Sequence, residues 1–210
     1  MSENSNSSFL LKRLMSITGL LPVGGFLLQH LFGNSFVFVS AETWNEHAKY
    51  LTSLPMVLLI ELGLIYFPIF LHAALGITII YKGQNNFTSY SLFRNWMFFF
   101  QRLTGVIALA FVCTHSYTTR ITSFIQGWEM TATHMTLLLQ QPSWFWFYIV
   151  GVVSVCFHFA NGIWSFLITW GITVGRKAQQ ISSAMTMGLF VLLSLWAIAI
   201  IIKFSSLPLS

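Results

Sequence analysis

Residues Trp144–Val174 read WFWFYIVGVVSVCFHFANGIWSFLITWGITV. The run contains no Asp, Glu, Lys or Arg, is long enough to cross about 30 Å of hydrocarbon as a helix, and carries a single imidazole, His158. Its apolar residues are continuous rather than alternating, which excludes a strand of a membrane barrel. Four more long apolar runs flank it, at about Leu14–Val39, Met56–Tyr81 (with Glu61 inside), from near Trp96 to just before Arg120 (with Arg102 near its start), and Ile181–Ile202. The reading is an all-α membrane protein with five transmembrane helices: four of them form a bundle around the histidines described below, and the fifth flanks it. Composition agrees. The chain is 56% hydrophobic and 7% charged and has no aspartate, where a soluble domain carries about a quarter charged residues. Lipid must therefore be its solvent. Residues 1–11 read as a short polar tail and 12–210 as one membrane domain. The first apolar stretch is too long for the core of a cleavable signal, and no basic run suited to nucleic acid is present.

Lysine and arginine orient the bundle. With the N-terminus inside, the inner side carries Lys12, Arg13, Lys82, Arg94, Arg102, Arg176 and Lys177, and the outer side only Lys49, Arg120 and Lys203. That bias places the N-terminus in the cytoplasm and the C-terminus outside. Trp44, Trp96, Trp128, Trp144 and Trp170 fall near the expected interfaces, as an aromatic belt does. No internal repeat is visible in the sequence, which argues against a transporter built from duplicated halves.

Four histidines, His30, His72, His115 and His158, occupy the first four spans one apiece. A membrane interior tolerates imidazoles poorly unless they are partnered, and haem iron held between two histidines of facing helices is the usual answer. Depth decides the pairing. His30 lies roughly 24 Å from the inner face on an outward-running helix, while His72 lies about 15 Å from that face on an inward-running one. His115 precedes Arg120 by five residues, near the outer end of its helix, and His158 falls between mid-membrane and the inner half. Only His30 with His115 and His72 with His158 match levels. Two stacked haems follow, with relay of electrons across the membrane as their function. Gly24, Gly25, Gly76, Gly105, Gly151 and Gly162 would let helix backbones approach a porphyrin, or simply each other.

Other candidates have plainer alternatives beside them. Glu61, the one carboxylate inside a span, is a quinone-site proton group or an interfacial residue reaching for the outer surface. Arg13 and Arg102 suit haem propionates, and inner-side topology explains them equally well. Cys113 and Cys156 read as small buried hydrophobes, and His47 and His134 as solvated loop residues. Zinc is disfavoured because no carboxylate or thiolate joins the histidine pairs.

Several segments carry a resemblance: Phe26-Leu27-Leu28-Gln29-His30-Leu31, Phe93-Arg94-Asn95-Trp96-Met97, Gln101-Arg102-Leu103-Thr104-Gly105, Phe157-His158-Phe159-Ala160-Asn161-Gly162, Trp164-Ser165-Phe166 and Thr169-Trp170-Gly171-Ile172-Thr173-Val174. Together they closely resemble the membrane cytochrome b subunit of succinate dehydrogenase, in the class with one five-helix anchor and two haems that some fumarate reductases share. The resemblance spans about residues 10–203, and Phe70-Leu71-His72-Ala73-Ala74 keeps the histidine with little of the flanking pattern. It implies two b-type haems on His30/His115 and His72/His158. It implies a flavoprotein with covalent FAD and an iron–sulfur protein on the cytoplasmic face, and a quinone, usually menaquinone, as substrate. On this reading the chain belongs to the bacterial cytoplasmic (inner) membrane and to the tricarboxylic acid cycle, and oxidises no succinate by itself. Direction, succinate oxidation or fumarate reduction, stays open. A di-haem cytochrome b of a hydrogenase or formate dehydrogenase uses the same physical device, and a haem-free transporter or a purely structural anchor would leave four level histidines unexplained.

Overall fold

The computed structural model describes residues 3–82 and 92–208, with side chains from Phe9 onward; the side chain of Lys82, counted above among the inner cations, is outside that set. Every regular element among the described residues is helical. Among the described residues five helices are long and apolar enough to cross a membrane: α1 (Phe9–Phe38), α3 (Val57–Tyr81), α4 (Phe93–Gln126), α6 (Pro142–Thr169) and α7 (Arg176–Ser205). Two short helices, α2 (Ala41–Thr52) and α5 (Ala132–Leu139), lie in the connections. The face where α1 begins is called the N-side below and the face where α7 ends the C-side. The helix that carries the first span is already formed at Glu3, so the polar N-terminal residues make its opening turns.

Local chemistry sets the ends of these helices. Ser40 caps α2 by accepting from the Thr43 backbone N–H at 3.0 Å, and Pro142 opens α6 at a position where the missing N–H costs nothing. α6 stops at Thr169, short of the Val174 expected from hydropathy. Gly171 adopts φ +69°, Ile172 N–H donates to the Leu167 carbonyl at 2.9 Å, and Gly171 N–H donates to that of Ile168 at 3.1 Å. This is a glycine-terminated Schellman end, which an uncharged sequence conceals. α4 departs the other way. It runs through Arg120 to Gln126 rather than ending before the charge, because Arg120 is paired inside the bundle.

α1 packs beside α3 and α4 beside α6, while α7 lies along α6. The α6–α7 seam buries small residues, Ser154 and Ala160 against Ser183, Thr186, Ser194 and Ala197, so the two backbones approach closely. An apolar core sits at the C-side, where α2 and α5 fold over the end of α7. Val37, Trp44, Ala132, Leu139, Ile201 and Phe204 are buried there, and Trp44 meets Phe204 edge-on at 5.3 Å. The Trp44 indole donates to Asn34 and that of Trp196 to Ser35, tying this cap to α1. Trp44 is buried and Trp196 half-buried, so each indole N–H needs a partner, and both have one.

Three π-helical turns interrupt the spans: Gly19–Val23 in α1, Glu61–Tyr66 in α3 and Tyr117–Ile121 in α4. The first contains Pro22, whose ring would clash with the preceding turn of a regular helix and which has no N–H to donate. The other two each present one charged residue, Glu61 and Arg120, and these are partners.

Candidate functional site

The four transmembrane histidines come together in pairs. The ring centres of His30 and His115 lie 5.7 Å apart with planes at 73°, and those of His72 and His158 lie 6.0 Å apart at 82°. Each pair joins the α1/α3 half of the bundle to the α4/α6 half. Two imidazoles trans to one another on a metal, each bonded at about 2.0 Å, place their ring centres roughly 6 Å apart. The donor set is two imidazoles and nothing more: no group of three or more His, Cys, Asp or Glu side chains converges among the described residues. That set suits haem iron, whose remaining four ligands come from the porphyrin.

The N-side pair is braced twice by one device. His72 Nδ1–H donates to the Met15 carbonyl at 2.9 Å, and His158 Nδ1–H donates to the Gln101 carbonyl at 3.0 Å. A carbonyl can only accept, so both rings are fixed as the Nδ1–H tautomer with the Nε2 lone pair free for a metal. One turn beyond each carbonyl stands a glycine. A Cβ on Gly19 would come within 2.4 Å of His72 Cε1, and a Cβ on Gly105 within 2.9 Å of His158 Cε1. The imidazoles therefore lie in cradles that any side chain would fill. A second layer holds the His158 cradle. Gln101 Nε2 donates to the His158 carbonyl at 3.0 Å, and Asn161 Nδ2 donates to Gln101 Oε1 at 2.7 Å and to the Met97 carbonyl at 3.2 Å.

The repetition extends along the helices. Eleven residues separate Gly19 from His30, and ten separate Gly105 from His115. The π turn at Gly19–Val23 lies within the longer interval and takes up its additional residue, so both C-side histidines reach the same level. The sequence hides this correspondence because the two stretches share spacing rather than residue types.

At the C-side pair the support differs. His115 Nδ1 lies 3.0 Å from the Tyr148 hydroxyl, and its ring stacks on Phe111 at 5.6 Å and 15°. His30 packs against Phe26 at 5.3 Å. Of the glycines noted in the sequence, Gly24 and Gly151 admit the rings of Phe159 and Phe111, Gly105 admits His158, and Gly25 and Gly76 meet nothing within 4 Å. Gly162 has Gln101 Nε2 at 3.5 Å.

Glu61 and Arg120 form a two-pronged ion pair, Nε to Oε1 at 2.8 Å and Nη2 to Oε2 at 3.0 Å, with the side chains 17% and 27% exposed. Beside it Tyr66 and Ser116 share a hydrogen bond of 2.8 Å. Arg120 also lines a C-side cleft of about 490 Å³ with Asn45, Lys49, Trp128 and Glu129. Arg13 stacks over Phe9 at 4.3 Å and Trp170 at 4.5 Å, and its Nε is buried without a hydrogen-bond acceptor. Arg102 lies over Phe98 at 4.1 Å. His47 is not the solvated loop residue the sequence suggests. α2 lays it over Gly33 and 4.6 Å from Phe36, with Nε2 buried. His134 packs against Trp128 with ring centres 4.5 Å apart and planes tilted by 32°.

No protein-family model matches the chain. Over 191 residues it is 44% identical to the succinate dehydrogenase cytochrome b558 subunit of Bacillus subtilis (strain 168), an alignment covering 91% of this chain and 94% of that protein.

Proposed function

This chain belongs to the family of succinate dehydrogenase cytochrome b membrane subunits, and from that membership we propose that it holds two b-type haems and serves a quinone of the membrane. It is the multi-pass anchor of a succinate dehydrogenase. His72 and His158 hold the N-side haem, and His30 and His115 hold the C-side haem. The observation that carries this reading is the two pairs of facing imidazoles at 5.7 and 6.0 Å, three of their four rings braced through Nδ1. Haem bound there supplies one-electron transfer between an iron–sulfur partner on one face and a quinone near the other.

The chain's own residues do the rest. The N-side is the cytoplasmic face, where Lys12, Arg13, Arg94, Arg102, Arg176 and Lys177 gather, and there the flavoprotein with covalent FAD and the iron–sulfur subunit dock. Arg13, with a buried donor to offer, and Arg102 receive propionate charge. Glu61, held by Arg120 beside the C-side cleft, is the proton group for the quinone, which is menaquinone. Taking protons from the outer side lets the membrane potential assist an uphill reduction, at about 2.3 kcal/mol per charge and 100 mV. Succinate itself is oxidised on the flavoprotein.

His30→Ala tests the assignment. The variant complex is expected to lose the C-side haem and quinone reduction while still passing electrons from succinate to a soluble dye. Retention of both haems would refute it.

A further inference from the structure

Tyr148 lies in α6 with only 4% of its surface exposed, and its hydroxyl is 3.0 Å from His115 Nδ1. The surroundings leave that ring little freedom. Phe111, one turn before His115 on α4, stacks on the imidazole and meets Tyr148 edge-on at 5.2 Å. It fits because residue 151 is glycine: a Cβ there would come within 2.2 Å of the Phe111 ring. Packing thus fixes the plane of His115. Packing alone does not decide which edge of the ring faces α6, since an imidazole rotated by half a turn about its Cβ–Cγ bond has nearly the same shape. The hydroxyl decides it.

On the N-side the corresponding acceptors are the Met15 and Gln101 carbonyls, which no side-chain replacement removes. At His115 the partner of Nδ1 is a side-chain hydroxyl, which can accept or donate. We propose that Tyr148 is the positioning residue of the C-side haem: its phenol oxygen accepts the His115 Nδ1–H, directs Nε2 towards His30, and strengthens the imidazole as a donor to iron. The proposal rests on the haem reading above. A hydrogen bond from Nδ1–H raises the basicity of a ligating histidine, so it favours the oxidised metal and lowers the reduction potential. This chain then tunes its two haems by different means, through backbone at one level and through a replaceable phenol at the other.

The test is a spectroscopic redox titration of the purified complex carrying Tyr148→Phe, with Tyr148→Gln as the second variant because its amide oxygen can accept the same proton. His30→Ala identifies the C-side component. In Tyr148→Phe that component is expected to move to higher potential, with the N-side component unmoved; a tenfold loss of preference for the oxidised state is about 59 mV for one electron. Tyr148→Gln should return it towards the parent value. Selective loss of the C-side haem in the Phe variant, with retention in the Gln variant, supports the same role. An unshifted C-side component in Tyr148→Phe overturns the proposal. So do equal effects of Phe and Gln, including loss of both haems from both variants, because these assign Tyr148 to packing. A parent complex lacking two haem components would fail the haem reading itself before any variant is made, and the proposal falls with it.

Discussion

Replacing Gly19 by alanine adds one methyl group to a membrane helix, a change that lipid-facing positions absorb without effect. Here the new Cβ would stand 2.4 Å from His72 Cε1 and 2.8 Å from its Nδ1, where an ordinary contact needs 3.4 Å or more. The imidazole must retreat by about 1 Å, a small-to-large strain of about 1–3 kcal/mol. That retreat also breaks the 2.9 Å bond to the Met15 carbonyl, and a hydrogen bond of this kind contributes about 0.5–1.5 kcal/mol. Together they amount to about 2–4 kcal/mol, or roughly one and a half to three powers of ten in haem affinity at the N-side pair. The assay is haem per chain in the purified complex, read as the pyridine adduct, with Gly25→Ala as control because a Cβ at Gly25 meets nothing within 4 Å. Gly19→Ala should approach one haem per chain and lose the N-side component of a redox titration, while the control keeps both. Full haem content with an unchanged N-side potential in Gly19→Ala would refute the cradle.

Other perturbations follow from the same contacts. Glu61→Gln leaves the Arg120 guanidinium half-buried without its counter-charge; it should lower stability in detergent by about 1–3 kcal/mol, between exposed and fully buried pairs, and Glu61→Gln with Arg120→Met together should recover much of that loss in thermal unfolding. Asn161→Ala removes two donated hydrogen bonds from a site only 2% exposed, at a cost of about 1–3 kcal/mol. Because one of those bonds steadies Gln101, the N-side haem component should broaden or shift while the C-side one stays, which the same redox titration reads.

Much of this architecture is legible in the sequence, for identifiable reasons. Continuous apolar runs poor in charge announce membrane helices, since lipid leaves a backbone only helices or closed barrels and a barrel strand would alternate. Alternating helix direction converts residue number to depth, and depth alone sets His30 level with His115 and His72 level with His158. Depth says nothing about azimuth, however. That Met15 and Gln101 turn their carbonyls to histidines on neighbouring helices depends on rotation about each helix axis, and so does the placement of Gly19 beneath His72. Spacing held a trace of it, a residue and a glycine four apart in both α1 and α4, blurred by the one-residue π turn. Arg120 does not mark the end of α4, because a lone charge marks a membrane edge only when it has no partner, and its partner Glu61 is nearly sixty residues away in the chain. The end of α6 was hidden for a different reason: Gly171 stops the helix by backbone conformation, while hydropathy stays high through Val174. His47 belongs to a cap that folds back over α1, a tertiary event that composition does not record.

The most direct test of two facing histidine pairs as two haem sites is the protohaem content of the purified complex per copy of this chain, taken with its dithionite-reduced minus oxidised spectrum. Two haems per chain, titrating as two components, is the predicted result. One haem would mean that a pair of rings lies together for another reason, and none would contradict the electron-carrying role altogether.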